Sequence, residues 1–210
     1  EEWWNKCGDW RFNEARYPGG IAQVRGRVRE RGMLFGMWMD AERIGPKSAI
    51  FREHPEWVAT RYAQKPNGAG LLNLADPEIC RWMEGQIRFL IEEYQIDMFR
   101  LDYNVSAADY LAYNERDGYL ENTFARYYEN VYEMYARLRK EFPEVIFENC
   151  AGGGGRTDLG MVANFTHTWV TDWQLMPNAV RITNGMTMAL PPECVDRLMG
   201  GQAAYLTGDV

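Results

Sequence analysis

Carboxylates recur in this chain at the ends of short apolar runs. Asp40 and Glu42 follow Met33–Met39, Asp102 and Asn104 follow Ile96–Leu101, Glu148 and Cys150 follow Val145–Phe147, and Asp172 follows Thr166–Thr171. Trp38, Trp169 and Trp173 stand beside them. Aspartate also ends strands for local reasons, since it favours turns and caps helices. Four such ends in succession, accompanied by indoles, read instead as a set suited to acid, base or nucleophile chemistry on a partly apolar ligand. If Asp102 and Asp172 end the fourth and sixth strands of a barrel, one strand lies between them. At about 4.8 Å per strand their backbones stand roughly 10 Å apart, and side chains leaning over the mouth close that to about 5–7 Å. This range overlaps the spacing of a retaining glycosidase and does not cleanly exclude the wider inverting geometry.

The elements that must position these groups are visible as pattern. Gly19–Arg31 places Ile21, Val24 and Val28 on one helical face, with Gly32 as a stop. Asp76-Pro77 reads as N-cap and first helical residue ahead of the stripe Ile79, Met83, Ile87 and Leu90. A long helix is predicted over about Glu121–Glu141, with Phe124, Tyr128, Val131, Tyr135 and Leu138 on its apolar face. The four runs above, Leu71–Leu74, and the weaker Met186–Leu190 and Ala203–Leu206 give about seven strands, most followed by a helix or long connection. Such alternation implies a parallel sheet. A (β/α)8 barrel takes about 250 residues. The 210 here fall short by roughly one βα unit, and the chain opens at Glu1-Glu2-Trp3-Trp4 without Met. The expected fold is therefore an α/β TIM barrel, (β/α)8, truncated and missing its first strand. Residues 1–210 would be a single catalytic domain, a segment of a longer multidomain protein whose compartment this stretch does not reveal.

Composition removes other classes. Twenty-three Lys+Arg against 30 Asp+Glu give a net charge of −7, and with no basic run this argues against a nucleic-acid surface. No apolar stretch reaches the roughly 20 residues a membrane span needs. Four dispersed cysteines, no CxxC and only 2 histidines argue against a metal cage or a disulfide framework. Ala151–Gly155 lacks the spacing and the lysine of a phosphate cradle. The 8 Trp and 12 Tyr exceed what a core of this size uses and suit flat ligand platforms.

Together these segments resemble glycoside hydrolase family 36, the melibiase-type α-galactosidases. Gly8-Asp9-Trp10 with Tyr17-Pro18-Gly19-Gly20-Ile21 looks like the family's GDW…FPxGL opening, and Gly32–Glu42 like its GMxFGLWFEPE strand. Ser48 with His54-Pro55-Glu56-Trp57, and Leu72-Asn73-Leu74 with Asp76-Pro77, match the segments that follow. Phe99–Asn104 resembles the KxDxN nucleophile motif, Glu148–Arg156 with Asp158 resembles ENCxxGGxR-D, and Thr168–Asp172 resembles the WxSD acid/base motif.

The resemblance implies a retaining α-glycosidase acting on terminal α-D-galactosides through a covalent glycosyl-enzyme. Asp102 would be the nucleophile and Asp172 the general acid/base. Trp38, Asp40, Arg100, Asn104, Cys150, Gly152, Gly153, Arg156 and Trp169 would bind or shape the substrate. Arg100 would help keep Asp102 ionised; the charge of Asp102 and the flanking indoles would favour a proton on Asp172. No cofactor or metal is implied. The partner is an α-galactoside or related oligosaccharide, with homo-oligomers of the full-length protein as the family's habit. Typical family members carry Lys where Arg100 stands, and a planar fork is not equivalent to a point charge. An α-N-acetylgalactosaminidase or other α-galacto-specific hydrolase, a transglycosylase on the same framework, and a non-catalytic carbohydrate-binding barrel are the alternatives.

Overall fold

The computed structural model describes residues 3–60, 70–105, 114–116, 119–121, 123–173 and 175–196. Its centre is a four-stranded parallel sheet made from β1 (Gly36–Asp40), β4 (Met98–Asp102), β7 (Ile146–Asn149) and β8 (His167–Thr168), in the order β1-β4-β7-β8. Two antiparallel pairs stand apart from it: β2 (Arg43–Ile44) with β3 (Gly70–Leu71), and β5 (Asn114–Arg116) with β6 (Tyr119–Glu121). The helices are α1 (Gly20–Arg29), α2 (Ala49–Glu53), α3 (Pro77–Tyr94), α4 (Phe124–Glu141), α5 (Leu159–Val162) and α6 (Asn178–Met186). None is long and apolar enough to cross a membrane.

Local chemistry sets the helix ends. Asp76 accepts the Glu78 N–H at 2.8 Å as N-cap of α3, with Pro77 next, which fixes φ where no N–H is needed. Ser48 and Asp158 cap α2 and α5 in the same way. The turn after α1 ends at Gly32, whose φ of 68° is cheap only for glycine. Asp97 ties α1 to the sheet, accepting from Arg29 at 2.7 Å and from the Phe35 N–H at 2.8 Å.

Strand alternation then divides the sheet into two faces. Met39, Phe99, Leu101 and Phe147 are fully buried in the core with the α3 stripe Ile79, Met83, Ile87 and Leu90 and with Tyr127, Val131, Met134, Tyr135 and Leu138 of α4. The other face carries polar and indole side chains in two rows. Trp38, Arg100, Glu148 and His167 are register neighbours across β1, β4, β7 and β8. Asp40 and Asp102 are neighbours one step further along, followed by Cys150 and Trp169 just past the ends of β7 and β8.

Three expectations need correcting. Leu71–Leu74 does not join the parallel sheet: Leu71 pairs with Arg43, and Leu72 bridges Val58, so β1 lies directly against β4. The run Thr166–Thr171 shortens to β8; the chain leaves the sheet after Thr168 because Gly154 and Gly153 pack against the backbone of Val170–Asp172. Met186–Leu190 is the end of α6 and the turn after it, a short apolar run that periodicity alone cannot assign. The strand expected at Ala203–Leu206 lies outside the described residues.

Candidate active site

Asp102 ends β4 with its carboxylate held by donors from three directions. Its Oδ1 accepts the Tyr103 N–H at 2.8 Å and the Gly152 N–H at 3.0 Å, and its Oδ2 accepts Trp38 Nε1 at 3.0 Å. Burial works against the charge, but the Gly152 N–H, Asn104, Trp38 and the Tyr103 N–H outweigh it and hold the carboxyl below the usual range. Hydrogen bonding, more than the expected guanidinium of Arg100, keeps this group ionised.

Asp172 lies four residues past β8 on an exposed loop, where Trp169 Nε1 donates to its Oδ1 at 2.8 Å. One strand, β7, separates β4 from β8, as the sequence arithmetic assumed. The turn after β7 connects the two acids. Gly152, at φ 53°, donates to Asp102; Gly153, at φ 87°, packs so closely on the next loop that a Cβ there would stand 2.8 Å from the Asp172 nitrogen. Both conformations are ones that L side chains rarely adopt, and at Gly153 the close approach itself needs a bare backbone.

The other predicted residues divide into exposed and buried. Trp38, Asn104 and Gly152 are exposed, and Trp169 is half-buried. Trp38 is braced edge-on by Trp3 at 5.0 Å and Trp10 at 6.1 Å. Arg100 is turned toward Glu148 and Cys150, with Trp169 against its flat face.

Two expected substrate contacts become supports. Asp40 has no exposed surface; it accepts Asn104 Nδ2 at 3.2 Å and so fixes that amide. Burial pushes its carboxyl up to about 6, with the charge of Asp102 adding and Asn104 and Arg43 opposing. Arg156 is also buried. Its guanidinium grips Glu42 through two hydrogen bonds of 2.9 and 2.6 Å and lies 3.9 Å over the Tyr103 ring. Tyr127 completes the arrangement by donating to Glu42. Arg156 thus braces Tyr103, whose N–H reaches Asp102, and offers nothing to a ligand directly. Cys150 is buried as well; burial and the charge of Asp102 push its thiol up to about 12, so it stays protonated.

Sequence reasoning missed the Glu42–Arg156–Tyr127 cluster, whose partners are far apart in the chain. It also gave His167 no part in the site. His167 Nε2 instead meets Glu148 Oε2 at 2.9 Å and Asp196 Oδ2 at 3.3 Å. The period of two could have found it, since His167 and Trp169 must share a face if β8 runs as far as Thr168. A crevice of about 520 Å³ between α3 and α4 lies away from all these groups, and its Glu84 is already paired with Arg88 and Arg137.

The Melibiase family model matches residues 4–205. The chain belongs to the melibiase family. It is 31% identical to the bifunctional α-galactosidase/sucrose kinase AgaSK of Mediterraneibacter gnavus over 98% of its own length and 22% of that protein's. With the α-galactosidase of Escherichia coli it shares 31% identity over 95% of this chain and 28% of the relative. Among solved structures, the galactosidase domain of AgaSK superposes with a TM-score of 0.77 at 32% identity, covering 90% of this chain and 26% of that one. An α-galactosidase from Lactobacillus brevis gives 0.76 at 30% identity, covering 87% and 25%. This melibiase chain therefore spans about a quarter of the length of such relatives. Its fold is α/β with a parallel sheet, as theirs is.

Proposed function

We propose that this melibiase segment carries the catalytic pair of a retaining α-galactosidase. The observation that supports this most directly is the contrast between two carboxylates one strand apart. Asp102 is surrounded by N–H donors that favour its anion, while Asp172 is exposed on a loop with the indole N–H of Trp169 on one oxygen. An anion held ready is suited to attack at an anomeric carbon; a solvent-facing carboxyl is suited to exchange a proton with the leaving oxygen and then with water.

In the first step an Asp102 oxygen bonds to the anomeric carbon as the glycosidic C–O bond breaks, and Asp172 gives its proton to the departing oxygen. In the second, Asp172 takes a proton from water as the water oxygen displaces Asp102 and releases the free sugar. Trp38 would wall the sugar with its ring while its N–H steadies Asp102. Asn104, fixed by Asp40, would read a hydroxyl near the nucleophile, and the bare backbone at Gly152 would admit the sugar closely. The substrate class is a terminal α-galactoside, following the names of the relatives. The four parallel strands would be part of a (β/α)8 barrel, forming one catalytic domain within a longer polypeptide. Val195, bridged in parallel to Thr168, would begin the strand after β8.

The test is nitrophenol release from an aryl α-galactoside by the complete polypeptide beside its Asp102→Ala variant. The expected result is turnover that falls by at least about 1,000-fold in the variant, as loss of a covalent nucleophile requires. Product from the parent should keep the α configuration by NMR before it mutarotates. A β product would mean inversion, and equal turnover in both proteins would remove Asp102 from the mechanism.

A further inference from the structure

The structure gives the Arg100 guanidinium a specific set of neighbours. Nη1 lies 2.6 Å from Glu148 Oε1, and Nη2 donates to Cys150 Sγ at 3.6 Å. The guanidinium carbon sits 4.2 Å from the centre of the Trp169 ring. Glu148 is buried and is held on its other oxygen by His167, which in turn meets Asp196. The end of the guanidinium is thereby anchored to the sheet, and its flat face supports an indole. The same indole donates Nε1–H to Asp172 at 2.8 Å.

We propose that Arg100 is a positioning residue for the acid/base, acting through Trp169: anchored by Glu148 and Cys150, it fixes the plane of the indole that holds Asp172. The proposal rests on the reading of Asp172 as the acid/base. Asp172 lies on a loop beyond the sheet, so its orientation depends on whatever grips its carboxyl. Trp Nε1 is a donor only. Oδ1 must accept from it, and the transferable proton is confined to Oδ2. If the indole turns, Oδ2 turns away from the leaving oxygen. A lysine could pair with Glu148 but has no planar face to stack on the ring while also reaching the thiol. Arginine at this position is thus a bracket for Trp169, where a lysine would be only a point charge.

A leaving-group series separates this role from a direct contact with the sugar. Proton donation matters most for poor leaving groups, so a misplaced acid slows phenyl α-galactoside far more than dinitrophenyl α-galactoside. Using the complete polypeptide, Asp172→Ala sets the pattern for a lost acid. Arg100→Lys is expected to lower kcat/KM at least about 10-fold for the phenyl substrate and less than about 3-fold for the dinitrophenyl one. Trp169→Phe keeps a ring for the guanidinium but removes the N–H, and should give the same slope. The double variant should be no worse than the weaker single, because both act on one link. A uniform loss across the series in Arg100→Lys makes Arg100 a sugar-binding group and overturns the proposal. If that variant does not fold, a uniform loss or no loss in Trp169→Phe overturns it equally. If Asp172→Ala itself shows no dependence on the leaving group, the acid/base reading fails first, and the proposal falls with it.

Discussion

At the scale of single residues, the candidate site is organised by how each carboxylate is solvated. Asp102 exchanges water for N–H donors and stays ionised; Asp40, its neighbour across the β1–β4 ladder, is buried deeper with weaker compensation. The Asp40 carboxyl is raised from an ordinary 3.8 to about 6. A raised acid binds its proton more tightly in the folded chain, so its contribution is complete below pH 3.8 and is lost as pH rises toward about 6. Asp40→Asn should flatten the stability slope across that window, removing up to about 1.4 kcal/mol per pH unit. Urea midpoints measured across the window check this, and an unchanged slope would place the titration elsewhere. Glu42 and Arg156 form the opposite case, a buried pair with both terminal guanidinium nitrogens engaged. Removing one partner of such a pair leaves a stranded charge, at a cost of about 3–5 kcal/mol. Neither the depth of Asp40 nor the pairing of Arg156 was legible in the sequence. A charged residue in a motif looks alike whether it faces a ligand or a buried partner more than a hundred residues away.

At the scale of elements, legibility followed how one-sided each pattern was. The α3 stripe is apolar on one face only, and all four residues expected inside are buried. Helix α4 carries aromatics around most of its circumference, and there the choice of face slipped. Phe124 was expected inside but is exposed, while Tyr127 and Met134 are buried in its place. Phe124, Tyr128 and Tyr132 form a separate row of rings along the flank, which has the spacing of a core stripe without its burial. The turn after β7 was recognised as glycine-rich, but its purpose depends on a loop that only the fold brings near. Gly153→Ala is the sharp test of that purpose. The new methyl would meet the Asp172 nitrogen at 2.8 Å and the Thr171 Cα at 3.2 Å, both backbone atoms, at a φ that L residues rarely adopt. The loop must shift, and a displacement of about 1 Å at a reacting group costs on the order of 100-fold in rate. The expected outcome is a fall of about that size in kcat/KM with cooperative unfolding retained, at a stability cost of about 1–3 kcal/mol. Near-normal activity would mean that Asp172 does not depend on the turn for its place.

At the scale of the whole molecule, strand-end carboxylates and βα alternation were enough to anticipate a parallel sheet with Asp40 and Asp102 side by side at the ends of its strands. The number of strands was not, because Leu71–Leu74 has strand composition and strand length yet pairs outside the sheet. β1 stands at one end of the described parallel sheet, and no described strand pairs with its outer edge. Exposed apolar side chains adjoin β1: Met33 and Leu34 lead into it, and Trp3, beside Trp4, packs on its Trp38. An open edge bordered by apolar surface is what a further strand and helix would cover, and when uncovered it templates association. If the proposed barrel is completed by the rest of a longer polypeptide, the 210 residues alone should self-associate, bind a dye such as ANS and release no nitrophenol. The complete polypeptide should do the reverse on all three counts. Light scattering and dye fluorescence on both proteins decide it. A monomeric, dye-silent isolated chain would show that this edge needs no covering, and the argument for a closed barrel around β1 would fail with it.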